Sequence, residues 1–209
     1  MTPAIRHWSR ENQARVEAIL GSYPERRSAL MPLLYVASLE HDCVSEDAMR
    51  EVAVLTGISP VQVQSVASFY TMFKGEGVGD YVVSVCTSVA CYLSEADVVL
   101  GAVEDAAGAS SGETSEDGAV SVEHVECIGA CGGAPAVQVN YETIEGLTPE
   151  AAAALIKWLV DTKPDVVLAD EMQQLFGGRR SFDWGSVELE GAIRPVPAFG
   201  LLGSAGEGR

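Results

Sequence analysis

The sequence is poor in positive charge: thirteen Lys and Arg stand against thirty Asp and Glu, for a formal net charge of -17 over 209 residues. Nucleic-acid binding needs clustered cations to neutralise phosphates, so that class is excluded. The acidic balance serves solubility first, and steering toward a basic partner second. Long apolar runs are also missing: nothing approaches the roughly 18 to 20 residues that a membrane helix needs. Residues 1–10 have neither an apolar core nor an Arg/Ser-rich amphipathic pattern, which predicts neither export nor organelle import. No G-x-G-x-x-G opens a helix and no P-loop occurs, so no nucleotide site is expected. Histidine is scarce, with three in all, and the C-x-x-C of dithiol redox proteins does not occur. With 47% hydrophobic residues the chain holds enough apolar material for one or two modest domains with real cores.

What it does have is four of its five cysteines in two short pairs, Cys86-Thr-Ser-Val-Ala-Cys91 and Cys127-Ile-Gly-Ala-Cys131, spaced C-x4-C-x35-C-x3-C. Each pair follows an apolar run, Tyr81–Val85 and Val120–Val125, that reads as a strand. Two strand-end loops side by side would form a four-sulfur cage, suited to a structural zinc or to an iron-sulfur cluster. Disulfides fit poorly with an odd cysteine count and a reducing compartment. Zinc usually takes tighter C-x2-C knuckles. Gly129, Gly132 and Gly133, beside Ala130 and Ala134, let main-chain amides approach sulfur and favour a cluster. Thr87 and Ser88 add side-chain donors, and Glu126 is the nearest charge, which predicts a low potential. His124, three residues before Cys127, is a candidate tuning residue, whereas His7 and the lone Cys43 carry no expected role.

Around these motifs, residues 1–73 read as a small bundle of helices. Asn12–Leu20 ends at a Gly21 cap, and Pro24–Leu39 is kinked or shifted in its start by Pro32. Ser45 caps a helix closed by Gly57, and Ser59-Pro60 opens the next. Phe69–Phe73 reads as the joint, with Gly75, Gly77 and Gly79 as a flexible link. Residues 74–163 then give strand, cluster loop, helix (about Ser94–Ala106), strand, cluster loop, strand (Ala136–Asn140) and helix (Thr148–Val160), an α+β order suited to a thioredoxin-like sheet. Residues 108–118 read as a mobile loop, and Pro135 as a candidate cis proline. Residues 164–209 read as an extended tail, with a short helix in Asp165–Phe176 whose Leu168, Met172 and Leu175 share a side. Beyond it Phe182, Trp184, Val187, Leu189, Ile193, Phe199, Leu201 and Leu202 suggest a segment lying across a neighbouring subunit.

The cysteine motifs resemble a known family, the thioredoxin-like 2Fe-2S ferredoxin subunit of respiratory NADH:quinone oxidoreductase (complex I). The likeness rests on Cys86–Cys91, Gly112–Gly118, Val125–Gly132 and Ala134-Pro135, and continues through Tyr23-Pro24, Ser28–Leu34, Phe69–Phe73 and Gly146–Glu150, covering roughly residues 11 to 160. It departs at Gly133, where a bulkier apolar residue is common, and at Ser115, usually threonine. The resemblance implies a 2Fe-2S cluster on Cys86, Cys91, Cys127 and Cys131 that exchanges single electrons with FMN. It also implies that FMN and NADH are held by an adjacent NADH-oxidising flavoprotein, with other peripheral-arm subunits as further partners. Location would be peripheral, on the cytoplasmic side of a bacterial plasma membrane, with the membrane met only through the complex. Related machines are the alternative, as the diaphorase subunit of an NAD-reducing hydrogenase or an NAD-linked formate dehydrogenase. A zinc-stabilised interaction module is the reading from another class.

Overall fold

The computed structural model describes residues 8–41 and 43–181. The expectations on residues 1–7, on Asp42 and on the aromatic tail from Phe182 to Leu202 therefore lie outside the described residues. Contacts divide the chain into two units, one running up to Glu76 and the other beginning at Gly77.

In the first unit, helix α1 (Arg10–Ser22) opens at Ser9, whose side chain accepts the Asn12 N–H, and runs past Gly21. No left-handed cap forms there. Tyr23 turns extended instead (φ -116°, ψ 131°), because it precedes Pro24 and the proline ring disfavours a helical residue before it. A 3-10 turn (Arg26–Ala29) leads into α2 (Leu30–His41). Pro32 thus falls in the first turn of α2, where its missing N–H costs nothing, and the helix start is shifted as expected. Helix α3 (Glu46–Thr56) is capped by Ser45 and closed by Gly57 at φ 73°. Helix α4 (Pro60–Phe69) carries a capping box between Ser59 and Gln62. The four helices bury Leu33, Leu34, Val52 and Val63 completely, and Phe73 packs its ring 5.0 Å from that of Tyr35.

The second unit is built on a sheet of order β2-β1-β3-β4. Strands β1 (Tyr81–Cys86) and β2 (Val120–Val125) are parallel, in register from Tyr81 with Val120 to Cys86 with Val125. Strand β3 (Ala136–Val139) runs antiparallel to β1, and β4 (Glu142–Glu145) antiparallel to β3. Between β1 and β2 lie α5 (Val89–Tyr92) and α6 (Ala96–Ala107); α7 (Pro149–Thr162) and α8 (Ala169–Leu175) follow β4. One core joins Val83, Val85, Val137, Val139 and Ile144 of the sheet to Val99 and Val103 of α6 and to Leu155, Ile156 and Leu159 of α7.

Strand β4 was not expected from the sequence. It forms because Asn140 and Tyr141 both take positive φ (48° and 73°), the pattern of a tight two-residue hairpin turn. Buried Asn140 holds that turn: its side-chain oxygen accepts the Val82 N–H at 2.8 Å and its amide donates to the Asp80 carbonyl. The helix expected at about Ser94–Ala106 is α6, and Glu95 at φ 66° sets it off from α5, a short helix where the sequence predicts only the first cluster loop. Residues 108–118 do not hang free either. Gly112 N–H donates to Val122 O at 2.7 Å, Ser115 N–H to Val120 O at 2.8 Å, and Val122 N–H returns to Glu113 O, which lays the segment antiparallel along β2. Gly79 is likewise no loose linker, since a Cβ there would lie 2.9 Å from the Gly118 carbonyl. Of the stripe expected on α8, Met172 is fully buried while Leu168 and Leu175 stay largely exposed. Among the described residues no single helix is long and apolar enough to cross a membrane.

Candidate metal centre

Cys86 is the last residue of β1. Alternation along the strand sends Tyr81, Val83 and Val85 into the helix-covered core and leaves Cys86 in a separate cluster with Cys91, Ala96 and Ala136, against which Val125, Ile128, Ala130 and Ala134 pack. A slip of one residue in the register would exchange these two sets. Cys91 does not sit in an open loop: it lies on the single turn of α5, which folds back so that its thiol meets that of Cys86. Both are buried.

The second pair lies between β2 and β3. Gly129, at φ 90°, makes a turn that residues with a Cβ rarely adopt, and Cys131–Gly133 is a short 3-10 turn. Cys127 Sγ and Cys131 Sγ are 3.4 Å apart and both exposed. The two loops lie side by side, tied where Thr87 N–H donates to the Val125 carbonyl at 3.0 Å, and the thiols of Cys131, Cys86 and Cys91 feel one another electrostatically. The structure thus brings together all four cysteines that the spacing singled out, as two pairs. Cys43 belongs to the first unit of the chain.

The surroundings of Cys91, Cys127 and Cys131 set their proton affinities. Burial pushes Cys91 up to about 11, reinforced by Cys86 and Cys131 and opposed by the Ala136 N–H that its sulfur accepts. Cys127 is drawn down, chiefly by the Gly129 N–H and then by the Cys131 thiol, against the charge of Glu126. Cys131 is raised, chiefly because it donates to Cys127. In the exposed pair the Cys131 thiol therefore donates to the Cys127 sulfur. A cationic metal centre would displace the thiol protons and meet four thiolates.

These donors fit a two-iron, two-sulfide centre. It takes two thiolates per iron, which matches two pairs, one against a dry apolar wall and one toward solvent. Among the described residues no three His, Cys, Asp or Glu side chains are grouped for a single metal ion. Amide donors reach sulfur at Gly129 and Ala136, the second of which the sequence did not reveal. The expected side-chain donors are turned elsewhere. The Thr87 hydroxyl faces the Val125 carbonyl, and Ser88 donates to Glu126 Oε2 at 3.0 Å. His124 is exposed and engages Ser111 at 2.8 Å through Nδ1, not a thiol. The Ala134-Pro135 bond is cis, as anticipated.

A mixed four-stranded sheet whose connecting loops gather four thiols is a scaffold of the kind that holds an iron-sulfur centre. The family model for the thioredoxin-like [2Fe-2S] ferredoxin matches residues 16–159, and the chain belongs to that family. An NADH-quinone oxidoreductase subunit of Mycobacterium tuberculosis (strain H37Rv) is 38% identical over 146 residues, which are 70% of this chain and 58% of that one. A subunit of the same kind of oxidoreductase from Rhizobium meliloti is 40% identical over 125 residues, 60% of this chain and 74% of its own. NADH-quinone oxidoreductase subunit 2 of Thermus thermophilus is 35% identical over 152 residues, 71% of this chain and 84% of its own. The chain thus spans 58% of the length of the mycobacterial relative. Among solved structures, an NAD+-reducing [NiFe]-hydrogenase in the H2-reduced state matches with a TM-score of 0.57 at 20% identity, over 63% of this chain and 22% of that one, a likeness of fold.

Proposed function

We propose that this chain is an electron-transfer subunit of an NADH:quinone oxidoreductase, holding one 2Fe-2S cluster on Cys86, Cys91, Cys127 and Cys131. The observation that carries the reading is the gathering of four thiols into two pairs in a member of this family. The relatives' names support the quinone-linked reading over a hydrogenase or formate dehydrogenase. When bound, such a centre supplies reversible one-electron chemistry. The chain's own part is to hold and shield it. Cys86 and Cys91 bind from the dry side, where Ala96, Ala136, Val125 and Ile128 exclude water. The Gly129 and Ala136 amides offset negative charge on sulfur. Glu126 adds charge of the wrong sign for reduction and keeps the potential low.

In this reading FMN and NADH belong to an adjacent flavin-bearing subunit, and the assembly is peripheral on the cytoplasmic side of the membrane. The face we assign to that partner is α5. Val89, Tyr92 and Leu93 are 75%, 60% and 77% exposed, three large apolar side chains around a ligand cysteine and next to the open Cys127–Cys131 pair. Exposed Glu95, Asp97 and Glu126 rim the patch, so the complementary surface is apolar with Lys or Arg around it.

Purified protein is expected to be brown, with about two irons and two acid-labile sulfides per chain; a colourless, zinc-bearing protein overturns the reading. Replacing Tyr92 and Leu93 together by serine is expected to leave that iron content intact. Affinity for the co-purifying flavoprotein should fall at least about tenfold, because buried aromatic anchors dominate such contacts. Unchanged affinity removes α5 from the interface and leaves the cluster assignment standing.

A further inference from the structure

Past α8 the chain turns back onto the cysteine loop. Buried Gln173 directs both ends of its amide to this turn. Its Oε1 accepts the Glu145 N–H at 2.8 Å, and its Nε2 donates to the carbonyls of Glu145 at 3.0 Å and Gly178 at 3.2 Å. Gly178 N–H in turn donates to the Glu145 carbonyl at 2.9 Å. Gln173 and Gly178 thereby pair the backbone groups of Glu145, the last residue of the edge strand β4.

The Glu145 side chain then takes two hydrogen bonds from one residue. Its Oε2 accepts the Ser181 N–H, and its Oε1 accepts the Ser181 hydroxyl at 2.9 Å. Directly beneath lie Gly132 and Gly133, the residues that follow Cys131. A Cβ on Gly132 would sit 2.7 Å from the Ser181 Cβ; one on Gly133 would collide with the Glu145 carboxylate and lie 2.8 Å from the Arg179 carbonyl. The loop is held by the backbone as well, since Gly146 N–H donates to the Gly133 carbonyl at 2.6 Å and to the Pro135 carbonyl at 2.8 Å. This close packing explains why glycine stands at 133, where the family resemblance led one to expect a larger residue.

We propose that Glu145 is a positioning residue for the Cys131 side of the metal centre. Its carboxylate anchors residues 179–181 over Gly132 and Gly133, and so fixes the backbone from which the exposed Cys131 offers its sulfur. The inference rests on the cluster reading above. Charge-assisted bonds to a carboxylate are the stronger kind, whereas an ion pair as exposed as Arg180–Asp170 contributes little. The carboxylate therefore holds the Ser181 end of the strap, the end that lies over Gly132, while the Gln173 and backbone bonds hold its start at Gly178.

The test uses the full chain carrying its iron. In Glu145→Ala, iron release to a ferrous chelator is expected to quicken about tenfold, the scale on which partners of metal ligands act. The g-values of the reduced-state paramagnetic signal are expected to shift, and amide exchange at residues 131–134 and 179–181 to accelerate while that of α7 does not. Glu145→Gln keeps an acceptor oxygen for the Ser181 N–H and is expected to recover most of the wild-type behaviour. Gly133→Ala, whose Cβ would press on the Glu145 carboxylate and the Arg179 carbonyl and so lift the strap with the glutamate itself retained, is expected to reproduce the Glu145→Ala pattern and serves as well should that variant fail to fold. Wild-type release, spectrum and exchange in both Glu145→Ala and Gly133→Ala overturn the proposal. A wild-type chain that binds no iron sinks the cluster reading instead, and then accelerated exchange in the variants has no metal centre to act upon and the positioning role falls with it.

Discussion

Alanine in place of Cys86, Cys91, Cys127 or Cys131 is expected to abolish the visible absorption of the protein and its paramagnetic signal on reduction. The loss should be complete, not graded, because of how the thiols are arranged. They come as two pairs, Cys86 with Cys91 and Cys127 with Cys131, and each iron of a 2Fe-2S centre needs both members of a pair. Among the described residues, the Thr, Ser and His side chains nearest the pairs are already engaged. The Thr87 and Ser88 hydroxyls are committed to the Val125 carbonyl and Glu126, and His124 to Ser111. Cys43→Ala is expected to leave both signals intact, since Cys43 belongs to the other unit of the chain. Survival of the cluster in two of the four ligand variants, or its loss in Cys43→Ala, would contradict the assignment.

The site was legible in the sequence because ligand chemistry leaves a direct trace: cysteines at fixed spacing, after apolar runs, among glycines. The helix ends at Ser45, Gly57, Ser59 and Thr148 were legible for a similar reason, each being one residue whose side chain or φ settles a local boundary. What escaped was set by partners distant in sequence. Nothing near Gln173 signals that its amide spans 28 residues to Glu145. Strand β4 is four residues long, and its turn uses Asn-Tyr in place of the Asn-Gly that marks such hairpins, so its stability comes from Asn140 reaching back to Val82. The segment 108–118 looked free because its composition is polar, yet its anchors are backbone groups of β2, which composition does not register. The second-sphere donors failed in the same way. Thr87 and Ser88 are of the right type and place, but their rotamers serve the neighbouring loop. Gly133 was visible only as an oddity; the strap that demands it became apparent once β4 and α8 were in position.

Leu155→Ala is expected to cost the second unit about 3.5 kcal/mol, the middle of the range for emptying a fully buried leucine site. Leu155 is completely buried on α7, in the same core as Val83 and Val85 of β1 and Val99 and Val103 of α6. Those neighbours lie on a sheet face and a helix that are themselves pinned, β1 by partners on both sides and α6 against α7, so collapse around the missing atoms is limited. The consequence reaches the metal centre through β1, the strand that carries Val85 into this core and ends in Cys86. At 25 °C without denaturant the variant is expected to keep its cluster, because no ligand or loop residue is touched. Under urea, bleaching of the visible band and loss of helical circular dichroism should move together to a lower midpoint, with the slope unchanged. Val98→Ala, on the exposed side of α6, is the control, and should stay within about 0.5 kcal/mol of wild type. A Leu155→Ala midpoint equal to that of wild type would mean that α7 does not complete the core, and bleaching well before the helices unfold would mean that the cysteine loops do not depend on the sheet beneath them.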